Sequence, residues 1–228
     1  MAKLHGLSTP RAAGLAGVLF AILFSAALTL IRTSVPEHAQ RGSAWLEGAS
    51  GHLKVASVLM PFAGISFLWF IGVVRDGLGR YEDRFFASVF LGSGLLFLAM
   101  VFVASAVGAA LVAGRGMPAT ASRDEMLLFG QMLLTTLTKT YALRMAGVFM
   151  ISLATIWLKT SLMPRWLIIL TYVMAVALLI AADTTMLLTL VFPVWVLLVS
   201  LLALARSGVI DLHFHDDDAA KTSPGDAQ

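Results

Sequence analysis

Apolar residues fall into six runs along the chain, with polar residues gathered between them. Positions 12–31, 55–74, 85–114, 145–158, 166–182 and 184–205 hold no Asp, Glu, Lys, Arg or His. A hydrocarbon core about 30 Å thick is crossed by roughly 20 helical residues. Four of the runs reach that length and the other two approach it. Backbone groups in lipid must pair internally, which leaves helices or closed barrels. Barrel strands would be about ten residues long and alternating, whereas these runs are continuous. The pattern predicts an all-α, six-helix transmembrane bundle over residues 12–206. It places a short cytoplasmic lead at 1–11 and a disordered, acidic cytoplasmic tail at 207–228.

The punctuation between runs adds detail. Ala13, Gly17 and Ala21 recur every four positions in the first run, a spacing that permits close helix approach. Small residues are also common in any alanine-rich span. Residues 32–52, interrupted by Pro36, Gly42, Gly48 and Gly51, read as a loop with Trp45 and Leu46 as interfacial anchors. Pro61 and Pro193 lie inside the second and sixth helices. Ser88, Gly92, Gly94, Ser105 and Gly108 give the third helix small-residue faces. Ser122 followed by Glu125 has the spacing of a capping box with Ser122 as N-cap. The stretch beyond it is either a separate interfacial helix or the start of the fourth span. No proline interrupts residues 122–163, so a nearly continuous rod is expected, bent at Gly130 or at the threonines after it. Asp183-Thr184-Thr185 is the one polar cluster able to turn the chain between the last two runs.

Orientation is set by the connectors. With the N-terminus inside, the inner connectors at 75–84 and 159–165 are short and densely basic, as the positive-inside rule expects. Trp69, Trp157 and Trp166 then fall toward the inner interface as an aromatic belt. The reading is N-in and C-in. The first run exceeds the usual 7–15 residues of a signal-peptide core and lacks a clear cleavage site, so it is read as a span.

Composition agrees. Charged residues make up 13% of the 228, against about 25% in a soluble domain. The net charge of +3 is spread over loops, which argues against nucleic acid as a partner. There is no cysteine, so disulfides, thiolate catalysis and iron–sulfur ligation are excluded for this chain. All five histidines lie outside the apolar runs, which argues against a haem held between helices. No cofactor and no metal are expected.

Ionisable groups beside spans are the natural functional candidates, because charge in lipid is costly. Lys54, Arg144 and Asp183 qualify, and Tyr141 lies one turn from Arg144. Together they would line an outward-facing polar pocket. Alternatively, Lys54 and Arg144 snorkel to headgroups and Asp183 caps a turn. His213, His215 and Asp216–Asp218 resemble a metal-binding tract, but no further ligand fixes a geometry, and a disordered acidic tail is the better account of them.

Residues 68–79, 82–86 and 91–97, together with Tyr141-Ala142-Leu143-Arg144-Met145 and Val191-Phe192-Pro193-Val194-Trp195-Val196, resemble an uncharacterised family of bacterial multi-pass, six-helix membrane proteins. The resemblance implies a bacterial cytoplasmic membrane and supplies no activity. The expected role is that of an integral membrane protein without catalysis, either an accessory subunit or a bundle binding lipid or a small ligand. The alternative is a small transporter or channel. Its partners are the lipid bilayer and either another membrane protein or a second copy. No paired acids or serine–base arrangement marks an enzyme.

Overall fold

The computed structural model describes residues 9–36, 44–78, 84–116, 118, 120–161, 163–181 and 188–206. The described secondary structure is helical throughout: α1 Thr9–Ser34, α2 Ala44–Leu78, α3 Arg84–Gly114, α4 Ala121–Thr136, α5 Ala142–Thr160, α6 Arg165–Ala181 and α7 Leu188–Arg206. Five helical segments are long and apolar enough to cross a membrane, and α6 is a shorter apolar helix. The all-α architecture is as the run pattern predicts.

α4 and α5 form one 40-residue rod, about 60 Å long at 1.5 Å per residue. They are joined by a π-helical turn, Leu137–Tyr141. The threonines, one of the two places where a bend is expected, fall at this turn, while Gly130 lies within α4. Its chemistry is local. Thr138 Oγ1 donates to Leu134 O at 2.8 Å, and Thr135 Oγ1 donates to Gln131 O at 3.0 Å. Hydroxyls that bond backwards onto helix carbonyls compete with the backbone ladder, and here the ladder widens to Ala142 N–H donating to Leu137 O.

Six rods result, and they pack as a closed ring. α1 packs on α2, α2 on α3, α3 on α5, α5 on α6 and α6 on α7, and α7 returns to α1. Glycines set the closest approaches. A Cβ on Gly17 would overlap Ser200 Oγ and lie 2.8 Å from a Phe70 ring carbon. The α1–α7 seam therefore depends on that missing side chain, and the four-residue spacing of Gly17 and the buried Ala21 is a packing face. Gly94 does the same between α3 and its neighbours, against Ile71 and Phe149. Ser57 and Ser105 exchange hydrogen bonds with each other's carbonyls across α2 and α3, at 3.4 and 3.2 Å.

Three expectations need correction. Residues 44–51 are helical, extending α2 upstream of its apolar run. Leu46, Ala49 and Leu53 are buried there at helical spacing, so Leu46 is core and not an interfacial anchor. Gly48 and Gly51 lie on the open side of this turn, and the packing of the buried face overrides their low helix propensity. The N-cap of α4 is Thr120, whose hydroxyl accepts from Arg123 N–H at 3.3 Å, and Ser122 lies inside the first turn. Trp157 is buried beside Trp195, with ring centres 6.1 Å apart, and is no belt residue. Of the expected lead at 1–11, residues 1–8 lie outside the described residues and 9–11 already belong to α1; the turn at 183–185 and the tail from 207 also lie outside the described residues.

Candidate functional site

The ring has no open centre at the level of its phenylalanines. Phe20 on α1, Phe67 on α2, Phe97 on α3, Phe149 on α5 and Phe192 on α7 converge there, each almost completely buried. Phe67 lies 4.6 Å from Phe20, 5.2 Å from Phe97, 5.3 Å from Phe149 and 5.6 Å from Phe192, ring centre to ring centre. Most of these pairs are tilted or edge-to-face, the arrangement aromatic quadrupoles favour. α6 joins through a polar contact. Trp195 Nε1–H donates to Thr171 Oγ1 at 2.9 Å, and Thr171 in turn donates to Leu167 O. The buried indole N–H is thus satisfied, as burial in an apolar interior demands. Thr155 and Tyr172 bond at 2.7 Å and tie α5 to α6.

Among the described residues, an apolar groove lies on the outside of the ring. A groove of about 360 Å³ runs between α1 and α2. Its walls are Leu19 and Leu23 from α1 and Phe62, Ile65 and Trp69 from α2, with the small Ala16 and Ser66 as its floor. Ser66 turns its hydroxyl back onto Phe62 O at 2.9 Å, so no polar atom points into the groove from it. Leu19, Phe62, Ile65 and Trp69 are all exposed. The volume is at the lower end of small-molecule sites, and the lining is apolar and open toward the lipid-facing surface.

A further group of polar contacts between elements lies at the end of the bundle away from the N-terminus. Ser34 Oγ and His52 Nδ1 lie 3.0 Å apart, and Arg115 Nη1 donates to Ser50 Oγ at 3.0 Å. Arg123 is buried and donates to Gly114 O at 3.3 Å and Arg115 O at 3.0 Å. A cation there meets the carbonyls left over at the end of α3 and the negative end of its dipole. Gln131 Nε2 donates to Pro36 O at 3.4 Å, binding α4 to the end of α1.

Of the residues singled out in the sequence, Lys54, Tyr141 and Arg144 sit at this same end but do not meet in one described pocket. Lys54 is exposed on α2, which packs on α1 and α3. Tyr141 is exposed at the π turn, and Arg144 is half-buried one turn later in α5. Asp183 lies outside the described residues, as does the His213–Asp218 tract. The aromatic centre and the groove were not singled out from the sequence. Their residues belong to runs that are apolar on every side, so periodicity does not tell the core face from the lipid face. No known protein family, curated protein or solved structure matches this chain.

Proposed function

We propose that this chain crosses a bacterial cytoplasmic membrane six times, with both termini inside, and acts without catalysis by holding a lipid acyl chain in the α1–α2 groove. The observation that carries this reading is where the space lies. The ring centre is filled by five phenylalanines from five helices, while an apolar groove opens on the lipid-facing side. An acyl chain suits a site with no inward-facing polar group, because nothing there would be left unpaired on its arrival. Trp69 near the end of the groove would place its indole toward the headgroup level, where tryptophan is enriched.

The test is native mass spectrometry of the full-length protein released from detergent. Wild type should retain a lipid that Ser66→Leu, which fills the groove floor, loses while keeping its thermal midpoint. Equal retention in both would refute the groove as the site.

The second reading, a transporter or channel with an outward-facing pocket around Arg144, Tyr141 and Lys54, depends on a pair between Arg144 and Asp183. That pair stays a proposal. If it forms, Arg144→Met combined with Asp183→Asn should destabilise less than the sum of the two single changes. Strict additivity would remove it.

A further inference from the structure

We propose that Pro61 and Ser105 are positioning residues of the α1–α2 groove. Pro61 forms a joint in α2, Ser105 latches that joint to α3, and together they bow α2 away from α1 and hold the groove open. The ligand is the acyl chain proposed above, and to that extent the proposal rests on that reading.

The joint begins with a missing donor. Pro61 lies inside α2 and has no N–H to give the Ser57 carbonyl one turn earlier. In lipid such a carbonyl finds no water to replace the lost bond. Ser105 supplies the donor from α3, its hydroxyl donating to Ser57 O at 3.2 Å. Other buried hydroxyls of the bundle behave differently. Ser66, Ser93 and Ser152 turn theirs back onto carbonyls of their own helices, as Thr171 does. Ser105, equally buried, reaches across to the neighbouring helix at the level of the proline.

Packing beside the joint points the same way. Ser57, Pro61 and Gly64 stand at i, i+4 and i+7, a spacing that shares one side of a helix. A Cβ on Gly64 would overlap the Phe102 ring of α3, so α2 also lies close on α3 just beyond the proline. A proline ring clashes with the carbonyl of residue i−4. The clash spreads the turn on that side and bows the middle of α2 toward α3. Phe62, Ile65, Ser66 and Trp69 stand at i, i+3, i+4 and i+7 on a different side and line the groove against α1. The α2 wall of the groove thus starts at the residue after the proline and lies wholly on one side of the joint.

The experiment places spin labels on the full-length protein through Ile22→Cys on α1 and Leu68→Cys on α2. Both positions are exposed and outside the groove lining, and the chain has no cysteine of its own. Distances in nanodiscs are read by double electron–electron resonance, and bound lipid by native mass spectrometry. Pro61→Ala restores the ladder bond to Ser57 O and should shorten the distance and lower lipid retention. Ser105→Ala should broaden the distances and lower retention about threefold, the size of an average interhelical hydrogen bond in a membrane bundle. In the Pro61→Ala background the same change should add nothing, because the carbonyl again has a donor of its own. Ser105→Thr keeps the hydroxyl and should keep the wild-type distance; it decides with Ser105→Ala if Pro61→Ala does not fold. An equal effect of Ser105→Ala in both backgrounds, or one distance shared by all variants, would overturn the joint. A wild type that holds no lipid while the distances change as expected would overturn the acyl-chain reading and leave the joint standing.

Discussion

Replacing Phe67 with alanine should open the bundle at its centre. Phe67 is fully buried and touches rings from three neighbouring helices and from α7. In a membrane the usual transfer term largely vanishes, because helices that come apart remain in lipid as apolar as the core. The remaining cost is one of packing. A void of roughly 100 Å³ at about 24 cal/mol per Å³ costs about 2.4 kcal/mol. Removing each edge-to-face ring pairing adds up to about 1 kcal/mol, partly recovered as neighbours relax. The expected destabilisation is about 3 kcal/mol. Phe129→Ala removes the same atoms from an exposed position on α4 and should change stability by about 0.5 kcal/mol or less. Unfolding in mixed micelles by increasing SDS, followed by tryptophan fluorescence, compares the two. If they differ by less than about 1 kcal/mol, Phe67 is not part of a packed centre and the sealed ring is wrong.

Gly17→Ala should cost about 1–3 kcal/mol, since its Cβ would overlap Ser200 and Phe70, whereas Gly51→Ala, which meets nothing, should be neutral or gain up to about 1 kcal/mol of helix propensity; the same titration reads both. Thr120→Ala should lose about 1 kcal/mol as the N-cap of α4, and Ser122→Ala should be nearly silent. The reverse order, measured by thermal midpoint, would return the cap to Ser122.

Much of the architecture was legible because lipid imposes a simple demand: long, uncharged runs must be helices. The continuity of α4 into α5 was legible from the missing proline, and the threonines marked where it deforms. The start of α2 was not, because Gly48 and Gly51 look like loop residues until their exposed side is known. The cap was misplaced by two residues because Thr120 and Ser122 are both good N-caps, and only the Arg123 N–H donating to Thr120 Oγ1 tells them apart. Trp157 was misplaced for a deeper reason. A tryptophan near the end of a span serves equally as a belt residue or as core, and only its contact with Trp195 decides. The groove was illegible on the same grounds, since Leu19 and Phe20 are neighbours of like hydrophobicity, one facing lipid and the other the ring centre.

The most direct test of a six-span ring is which side each connector occupies. The chain has no cysteine, so single replacements report cleanly. An impermeant maleimide applied to intact cells should label Gly116→Cys and Thr184→Cys and spare Gly79→Cys, Ser161→Cys and Ser207→Cys until the membrane is opened. The decisive pair is 161 and 184, on either side of α6, the shortest of the six rods. Reaction of both from the same side would mean that α6 does not cross, and the six-span account would fall.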